Sequence, residues 1–397
     1  MHSAFPAMAS RLWTLDPDTT FLNHGSFGAC PAEVLEIQHG LRARMERQPV
    51  QFLSRDLDEL IHEARMALGR FLNSDADDLA FVANATSGVN TVLRSLAFEP
   101  GDELLVTDHA YNACRNALEF VAGRSGAHVV IAPVPFPLDS PDDVLEAVLA
   151  AVSQRTRLAL VDHVTSPTGL IFPVERLVAA LQARGVDVLV DGAHAPGMIP
   201  IDLRGLGAAY YTGNAHKWLC APKGSAFLWV RPDRQPGVHP LTISHGFNVV
   251  RADRSRFRLE FDWTGTIDPT AALCIPIALR FMEARLPGGW PALMERNHRL
   301  ALEGRRALCD VLGVAPPCPD AMIGALAAIP LPDGEESGPS RSGGDPLQRA
   351  LREQFGIEVP VIAWPAAPKR LLRISAQLYN TLADFQRLAR ALRARLP

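Results

Sequence analysis

Cysteine is scarce and scattered in this sequence of 397 residues. Its six cysteines, at positions 30, 114, 220, 274, 309 and 318, form no C-x-x-C pair and no other ligand-like spacing. This pattern argues against a disulfide framework or a zinc site and is typical of a reducing compartment. No stretch reaches the ~18 apolar residues of a membrane helix, and residues 1–18 contain no apolar run of signal-peptide length. We therefore expect a soluble cytoplasmic protein without a bound metal.

An excess of charge of either sign is also missing. The chain has 39 Lys and Arg against 43 Asp and Glu, which gives a formal net charge of −4. Such a balance provides no electrostatic basis for binding nucleic acid or an anionic membrane. Apolar residues make up 48% of the chain. At this length, that share is enough for a large core divided between two lobes.

Strand-like and helix-like segments alternate through most of the chain. The predicted strands of this part are 79–82, 103–107, 128–133, 157–162 and 225–230. The predicted helices are 31–48, 54–73, 87–96, 114–126, 141–153, 173–184, 270–285 and 290–312. This alternation predicts an α/β fold with a mostly parallel sheet. The chain then changes to an α+β pattern, with strands at 323–331, 357–363 and 371–375, a helix at 346–355 and a Gly/Ser/Pro-rich loop at 333–344.

A histidine and a lysine follow each other where a short aromatic strand enters a polar turn, at Asn214-Ala215-His216-Lys217. Burial disfavours an ammonium group and lowers its pKa, which makes a lysine nucleophilic towards aldehydes and able to transfer protons at neutral pH. Lys217 is therefore a candidate catalytic residue. The alternative is a structural lysine whose stem packs on Trp218 while its charge reaches water.

Asp191 ends an apolar run of strand length and is followed by Gly192, Ala193 and His194. A carboxylate at the carboxyl end of a buried strand lies where ligands bind in open α/β sheets. Opposite a pyridine nitrogen, an ionised aspartate would keep that nitrogen protonated and the ring electron-poor. A structural ion pair is the alternative for this aspartate on its own. The strand-Asp-Gly-Ala-His motif and the His-Lys turn are more specific together than either is alone.

Three other segments carry candidate ligand contacts. The turn 84–88 opens a helix whose free N–H groups and positive dipole end suit a phosphate, although an ordinary N-cap by Thr86 or Ser87 is the alternative. Tyr111 follows a strand, and an aromatic ring in that position can stack on a flat heterocycle. The alternative is an exposed tyrosine without a role in the site. Arg373 alternates with apolar neighbours in a strand. Its guanidinium group suits an α-carboxylate, and a structural ion pair is the alternative.

Taken together, these motifs resemble a known family. The segments 191–194 and 214–217 are similar to those of the class V aminotransferase group of fold-type I pyridoxal-phosphate enzymes. Within that group, the segments FLNHGSFG at 21–28 and NATSGVN at 84–90 resemble the isopenicillin N epimerase-like branch. Matching stretches extend from about residue 21 to residue 381, which is nearly the whole chain. The motifs specify the cofactor strongly and the substrate much less.

The resemblance implies pyridoxal 5′-phosphate as the cofactor. Lys217 would bind its aldehyde covalently and act as the base at the α-carbon of a substrate, and Asp191 would face its pyridine nitrogen. The other implied cofactor contacts are Ala85, Thr86, Asn214 and His216 at the phosphate, Tyr111 over the ring, Ser166 and His194 at the phenolic oxygen, and Thr266 at the phosphate of a neighbouring subunit. The implied substrate contacts are Arg373, Asn23 and His24, although on its own His24 is more simply a turn histidine.

The resemblance also implies a fold-type I architecture. A large cofactor-binding domain with a mostly parallel sheet of the seven-stranded type between helices is expected at 25–282, and a smaller α+β domain at 283–397. Residues 1–24 are expected to form a segment that packs with the small domain. Because Thr266 would serve a neighbouring subunit, a homodimer with shared active sites is expected.

For the reaction, the resemblance implies an enzyme that acts at the α-carbon of an amino acid, of the isopenicillin N epimerase type. A C–S β-lyase acting on a cysteine derivative and a class V aminotransferase are the alternatives, because all three begin with loss of the α-proton. A non-enzymatic scaffold is disfavoured, since Lys217, Asp191 and Arg373 are all present. A persulfide-forming desulfurase is disfavoured too, because such enzymes carry a nucleophilic cysteine shortly before the carboxylate-binding arginine and residues 355–373 contain none.

Overall fold

A computed structural model describes residues 11–334 and 345–396, so most of the predicted loop at 333–344 lies outside the described residues. The strands in these residues are β1 (Thr20–Phe21), β2 (Leu79–Val82), β3 (Glu103–Thr107), β4 (His128–Ala132), β5 (Thr156–Asp162), β6 (Asp187–Asp191), β7 (Tyr210–Asn214), β8 (Ala226–Val230), β9 (Leu326–Leu331), β10 (Ile357–Glu358), β11 (Val361–Ala363) and β12 (Arg370–Ser375).

Within the described chain, seven strands form the main sheet, in the order β2-β8-β7-β6-β5-β3-β4. The five neighbouring strands β7, β6, β5, β3 and β4 are parallel to one another. Strand β8 lies between β7 and β2 and is antiparallel to both. Two successive antiparallel pairings make β2 parallel to β7. All strands of this sheet except β8 therefore point the same way. Their carboxyl ends meet at one edge, where ligands bind in open α/β sheets.

Both faces of the main sheet are buried. In β5, Ala159 and Val161 belong to one hydrophobic cluster, whereas Leu158 and Leu160 belong to a second one. Since side chains alternate along a strand, the two clusters lie on opposite faces of the sheet. The uninterrupted apolar run 158–161 is what a strand requires when it is covered on both sides.

The chain between the strands forms helices. They are α1 (His24–Phe27), α2 (Ala32–Arg47), α3 (Pro49–Gln51), α4 (Leu57–Phe71), α5 (Ala85–Ser95), α6 (Asn112–Ser125), α7 (Pro141–Ala150), α8 (Val174–Gln182), α9 (Leu203–Leu206), α10 (Arg256–Phe261), α11 (Thr270–Leu273), α12 (Ile275–Glu283), α13 (Gly289–Leu312), α14 (Pro346–Phe355) and α15 (Leu382–Arg393). A π-helical segment at Phe52–Asp56 leads into α4, and short 3-10 helices lie at Ala76–Asp78, Pro232–Gly237, His245–Phe247 and Asp320–Met322. Among the described residues, no helix is long and apolar enough to cross a membrane.

Prolines explain two departures from the predicted elements. The predicted helix 270–285 is divided into α11 and α12 at Cys274. Pro276, at the start of α12, has no N–H with which to continue the earlier ladder of hydrogen bonds. The predicted strand 357–363 is likewise divided into β10 and β11, with Pro360 between them.

Two helix caps also differ from those that the local sequence favours, which are Asp268 before Pro269 for the predicted helix 270–285, and Thr86 or Ser87 for the predicted helix 87–96. Asp268 is not the N-cap of α11, because Pro269 occupies that position, although Oδ1 of Asp268 still accepts from the N–H of Thr270 at 2.8 Å. The N-cap of α5 is Asn84, not Thr86 or Ser87. Its Oδ1 accepts from the N–H of Ser87 at 2.8 Å. In both places the carboxylate or amide side chain satisfies an N–H that the helix itself leaves free.

A smaller sheet lies in the C-terminal part of the chain. Its central strand β12 is antiparallel to both β9 and β11. Near the other end of the described chain, β1 pairs in parallel with β10, so the N-terminal segment joins this part. The predicted α/β fold, with a mostly parallel main sheet and a smaller α+β part, is confirmed. The exact boundaries at residues 24 and 282 stay a prediction.

Helix α5 packs directly on β7 through Gly88. A methyl group added at Gly88 would lie 2.1 Å from Oγ1 and 2.8 Å from Cβ of Thr212. We therefore expect Gly88→Ala to destabilise the protein by about 1–3 kcal/mol, although alanine is the better helix former. The measurement is the free energy of unfolding in urea.

Gly123→Ala is the matched control, in an exposed part of α6. No atom lies within 4 Å of a methyl group added there. This substitution should stabilise the protein by up to about 1 kcal/mol, through helix propensity alone. Similar effects of the two substitutions would contradict the close packing of α5 on β7.

Candidate cofactor and substrate site

The candidate site lies at the carboxyl edge of the main sheet. Asp191 ends β6 and Asn214 ends β7, while Tyr111 and Ser166 follow β3 and β5. Ala85 begins α5, directly beyond β2. The parallel arrangement thus brings together residues that are far apart in sequence, because parallel strands end at the same edge.

Lys217 lies in the turn that follows β7. Its Nζ is 3.0 Å from Nε2 of His194, and Nε1 of Trp218 donates to Nδ1 of the same imidazole at 3.5 Å. Because Nδ1 accepts from Trp218, a neutral His194 carries its proton on Nε2 and presents it to the lysine amine. The side chain of Lys217 is only partly accessible to solvent, unlike that of a lysine that holds its charge in bulk water.

Burial changes the acid–base properties of this pair. It lowers the pKa of Lys217 to about 7; the positive charge of Arg373 acts in the same direction and the negative charge of Asp191 opposes it. Burial also lowers the pKa of His194 well below its usual range, and nearby Lys217 and Arg373 add to the effect. At neutral pH about half of the lysine is therefore the free amine, beside a neutral imidazole.

Asp191 is a buried carboxylate with 3% of its surface exposed. Its Oδ1 accepts from the N–H of Ala193 at 2.9 Å, and its Oδ2 accepts from the thiol of Cys114 at 3.2 Å. Burial raises its pKa, while these two donors and the charge of Lys217 oppose the shift. No Lys, Arg or His of residues 11–334 and 345–396 forms an ion pair with Asp191. The alternative of a structural ion pair therefore finds no partner in the described chain.

The start of α5 and the end of β7 form a cradle of hydrogen-bond donors. Asn84 caps α5, and Oδ1 of Asn214 accepts from the N–H of Ala85 at 2.8 Å. The N–H of Ala85 is thus already occupied. The N–H of Thr86 and the amide –NH₂ of Asn214 make no hydrogen bond with any described residue. Free donors at a helix N-terminus are well suited to a phosphate group.

His216 borders this cradle. Its Nδ1 donates to the carbonyl oxygen of Ser225 at 3.0 Å. Burial lowers the pKa of His216 to about 4, and the charges of Lys217 and Lys223 contribute to the lowering. At neutral pH its Nε2 therefore carries no proton. A bound phosphate dianion would raise this pKa and so favour a proton on Nε2 that could be donated to the phosphate.

The segment that contains α1 packs against residues 215–219, the lysine turn that follows β7. Nδ1 of His24 bonds to the hydroxyl of Tyr379 at 2.8 Å, and Nε2 bonds to the carbonyl oxygen of Lys217 at 3.0 Å. Both ring nitrogens of His24 are thus occupied, and burial lowers its pKa to about 3. Gly28 has a φ of +70°, and a methyl group there would lie 2.0 Å from the carbonyl oxygen of His216. The backbone of this segment therefore fixes the position of the lysine turn.

Arg373 is a buried cation, with 4% of its surface exposed. Its NH1 donates to the carbonyl oxygen and the hydroxyl of Ser166 at 2.5 and 3.2 Å, and its NH2 donates to the hydroxyl of Ser26 at 3.0 Å. Its Nε has no hydrogen-bond partner among the described residues. Burial lowers its pKa to about 10, so the group stays charged at neutral pH. No carboxylate of the described chain forms an ion pair with Arg373. The group is therefore available to bind the carboxylate of a ligand.

Two predicted cofactor contacts lie nearer the surface. Tyr111 is 48% exposed and lies close enough to Arg373 to influence its pKa. Its position at the start of α6 is compatible with the predicted stacking over a flat ring. Thr266 is exposed, in the loop between α10 and α11. In the chain as described, it forms no hydrogen bond with the lysine turn.

Sequence reasoning missed the roles of Ser26 and Cys114. The hydroxyl of Ser26 donates to Oδ1 of Asn23 at 2.5 Å, while Nδ2 of Asn23 donates to Glu358 at 3.1 Å. Asn23 therefore orients the serine that holds Arg373. Ser26 lies within the matched segment at 21–28, which was the available signal. No sequence signal marks Cys114 as the thiol that contacts Asp191, 77 positions away.

Comparison with known proteins connects this geometry to a family. The profile of the family described as Aminotransferase class-V matches residues 31–301, more than half of the chain. The chain belongs to the class-V aminotransferase family. Enzymes of this family depend on pyridoxal 5′-phosphate, and this is the cofactor of the chain. The family and the cofactor predicted from sequence are thereby confirmed.

Relatives with two different activities match almost the whole chain of this class-V aminotransferase family member. The isopenicillin N epimerase of Amycolatopsis lactamdurans is 38% identical over 394 residues, which cover 96% of each chain. The probable chloroplastic L-cysteine desulfhydrase of Arabidopsis thaliana is 33% identical over 406 residues, which cover 95% of this chain and 83% of the relative. Membership of the family therefore leaves the specific reaction open.

Solved structures show the same fold at low sequence identity. A cystine C–S lyase in complex with its product cysteine persulfide gives a TM-score of 0.76 at 21% identity, with 98% of this chain and 99% of that chain covered. The cysteine desulfurase CsdA of Escherichia coli also gives 0.76 at 21% identity, with 98% and 97% covered. At this level of identity, the likeness establishes the fold alone.

The residues of the site fit this cofactor. Lys217 has a lowered pKa and can attach to an aldehyde. Asp191 is buried and forms no ion pair with any described residue, so it suits a protonated ring nitrogen. The free donors of Thr86 and Asn214 suit a phosphate. Among the described residues, no group of three or more His, Cys, Asp or Glu could hold a metal ion instead.

The point of covalent attachment can be mapped without ambiguity, because the chain has only three lysines, 217, 223 and 369. Lys223 donates to the carbonyl oxygen of Gly28 at 2.9 Å, and Lys369 pairs with Asp333 at 2.9 Å. We expect borohydride reduction of the cofactor-loaded protein to leave the cofactor on Lys217 alone. Mass spectrometry of the three lysine peptides measures this, and label on either other lysine would contradict it.

The rate at which the cofactor attaches to Lys217 should depend on pH. The free amine is the reactive form of Lys217, and its pKa is about 7. The rate at which the apoprotein binds the cofactor, followed by visible absorbance, should therefore rise with pH through about 7 and then level off. Lys369→Ala is the control and should leave this profile unchanged. A midpoint near the usual 10.5 would contradict the effect of burial.

Proposed function

We propose that the protein is a cytoplasmic, pyridoxal-phosphate-dependent amino-acid epimerase of the isopenicillin N epimerase type. Arg373 is the observation that carries the proposal towards an amino acid. Its guanidinium group is buried and charged, Ser26 and Ser166 fix its plane, and its Nε bonds to no residue that the structure describes. A carboxylate is the ligand that such a fork binds best. The α-carboxylate of the substrate is therefore assigned to Arg373.

Lys217 is the base in this proposal. With a pKa of about 7, its amine can accept a proton from the α-carbon at neutral pH. The neutral imidazole of His194 orients this amine through Nε2, at 3.0 Å. The charge of Arg373 acts on the pKa of Lys217. In this proposal the two groups serve one small amino-acid substrate.

When bound, pyridoxal 5′-phosphate withdraws electrons from the α-carbon and so acidifies the proton there. The carboxylate of Asp191 would accept a hydrogen bond from the protonated ring nitrogen. The N–H of Thr86, the amide of Asn214 and the ring of His216 would hold the phosphate. The ring of Tyr111 would cover the cofactor and keep water away from the face it occupies.

Loss of the α-proton is common to epimerases, β-lyases and aminotransferases. The epimerase is favoured because the isopenicillin N epimerase is 38% identical and covers 96% of each chain. A C–S β-lyase acting on a cysteine derivative is the second candidate, since the L-cysteine desulfhydrase is 33% identical over nearly the same span. The epimerase and lyase reactions diverge only after the α-proton has left. Lys217, Asp191 and Arg373 do not determine which of the two reactions follows.

A persulfide-forming desulfurase is not proposed. All six cysteines are buried, and none lies between residues 355 and 373. Burial raises the pKa of each thiol, to about 11 at Cys318 and about 12 at Cys30. A buried thiol at neutral pH is not a nucleophile.

We further propose a homodimer in which Thr266 reaches the phosphate site of the neighbouring subunit. The adjacent Ile267 is 62% exposed, and Leu241 and Ile243 are 48% and 55% exposed. A cavity of about 450 Å³ lies beside this loop and is lined in part by Ile267, Leu241 and Trp263. Exposed apolar surface of this kind is typical of an interface between chains.

The reaction can be identified with the cofactor-loaded enzyme and a panel of L- and D-amino acids in deuterated water. We expect deuterium to enter at the α-carbon with inversion of configuration, because Lys217 exchanges its proton with solvent. Proton NMR and chiral chromatography measure the two effects. Release of pyruvate would identify a β-lyase, and conversion of the cofactor to its amine form would identify an aminotransferase. Either result would overturn the epimerase proposal.

In the same assay, two arginines of β12 test the carboxylate site. Arg373→Met should raise KM by about 100-fold, because removing a buried charged partner costs about 2–5 kcal/mol. Arg370→Met is the control. Arg370 bonds to Asp345 at 2.9 Å, so its loss should leave KM within about threefold. An unchanged KM in Arg373→Met would exclude the assigned role.

The shared site can be tested by mixing two impaired variants. Lys217→Ala lacks the base, and Thr266→Ala lacks the proposed contact to the neighbouring subunit. A mixed dimer contains one site with both residues intact, so mixing and reassociation should restore about a quarter of the sites. Activity and cofactor content measure the recovery. No recovery in a mixture that forms dimers would show that Thr266 does not serve the neighbouring subunit.

A further inference from the structure

Asp162 is a buried carboxyl group that the proposed reaction does not use. It ends β5, has 3% of its surface exposed, and its Oδ2 has no hydrogen-bond partner in the described chain. In the pairing of β5 with β6, Asp162 lies directly opposite Asp191. Residues paired in this way in a parallel sheet place their side chains on the same face. Two buried carboxyl groups are therefore neighbours at the site edge.

Two carboxyl groups so placed in a protein interior do not both ionise, because like charges there repel strongly. Asp191 is the better placed of the two to be the anion. It accepts from the N–H of Ala193 at 2.9 Å and from the thiol of Cys114 at 3.2 Å, and the charge of Lys217 lies nearby. Each carboxylate oxygen of Asp191 thus accepts from a donor, and the cation Lys217 lies nearby. Oδ2 of Asp162, in contrast, accepts from no donor in the described chain.

The surroundings of Asp162 favour its protonated form. Burial and the negative charge of Asp191 raise the pKa of Asp162 well above its usual range. The groups that oppose this are two backbone N–H groups, that of Asp162 itself and that of Tyr111. A protonated carboxyl group still accepts from an N–H through its carbonyl oxygen. Asp162 can therefore hold the turn at Tyr111 without placing a second negative charge beside Asp191.

We propose that Asp162 is a positioning residue of the cofactor site. It carries the single proton of the Asp162–Asp191 pair, so that Asp191 alone is ionised opposite the ring nitrogen, and it fixes the turn that holds Tyr111. The proposal depends on cofactor binding and not on the reaction that the enzyme then catalyses. It therefore stands or falls independently of the choice between epimerase and lyase.

Infrared spectroscopy of the cofactor-loaded enzyme tests where the proton is. At about pH 8, where exposed carboxyl groups are ionised, we expect a C=O stretch of a protonated carboxyl group that disappears in Asp162→Asn. Asp187→Asn is the matched control, at the opposite end of β6, where the carboxylate bonds to Arg234 at 2.8 Å. The control should keep the band. Absence of the band from the unmodified enzyme, or its survival in Asp162→Asn, would overturn the proposal.

Cofactor affinity, measured by titrating the apoprotein, separates positioning from charge. Asp162→Asn stays neutral and keeps an acceptor oxygen, so it should bind the cofactor within about threefold of the unmodified protein. Asp162→Ala should bind the cofactor about tenfold more weakly, since it leaves the N–H of Tyr111 without the carboxyl oxygen that accepts from it. Asp191→Asn should bind more weakly than Asp162→Asn. If Asp162→Asn bound as weakly as Asp191→Asn, Asp162 would be the required anion. If Asp162→Ala bound like the unmodified protein, Asp162 would position nothing. Either result would refute the proposal.

Discussion

Ionisable groups buried without partners of opposite charge dominate this site. Among the described residues, neither Lys217 nor Asp191 nor Arg373 forms an ion pair, and moving such groups out of water costs free energy. The cost appears in their acid–base properties: burial lowers the pKa of Lys217 to about 7 and that of Arg373 to about 10, and it raises that of Asp191. The aldehyde and the ring nitrogen of the cofactor suit Lys217 and Asp191 as partners, so its binding stabilises the folded chain.

The fold holds Lys217, Asp191 and Arg373 in place, so that they can neither reach bulk water nor pair with each other. The main sheet fixes Asp191 and the lysine turn at the ends of neighbouring strands, with α5 held against β7 at Gly88. Two other parts of the chain close the arrangement. The N-terminal segment places Gly28 on the lysine turn, and β12 brings Arg373 to Ser26 and Ser166. Because Arg373 lies in the smaller sheet, the relative position of the two parts sets the distance between Lys217, the proposed base, and the proposed carboxylate site.

The same arrangement explains why family membership and reaction separate. In the proposed function, the lysine, the aspartate and the arginine serve the loss of an α-proton, which epimerases, β-lyases and aminotransferases share. Relatives named for epimerisation and for cysteine desulfhydration accordingly match the same span of the chain. The differences between these reactions arise after the proton has left, from whichever groups face the substrate side chain and the opposite face of the α-carbon.

The sequence by itself determined the α/β alternation, the family and cofactor, and the candidate roles of Lys217, Asp191 and Arg373, because local patterns and short motifs encode them. Only the tertiary structure decided that Asn214 occupies the N–H of Ala85, 129 positions away, that Arg373 bonds to Ser26, 347 positions away, and that Asp162 lies opposite Asp191. Such contacts depend on the order and register of strands. These are set by the packing of the whole chain, and no local stretch of sequence specifies them.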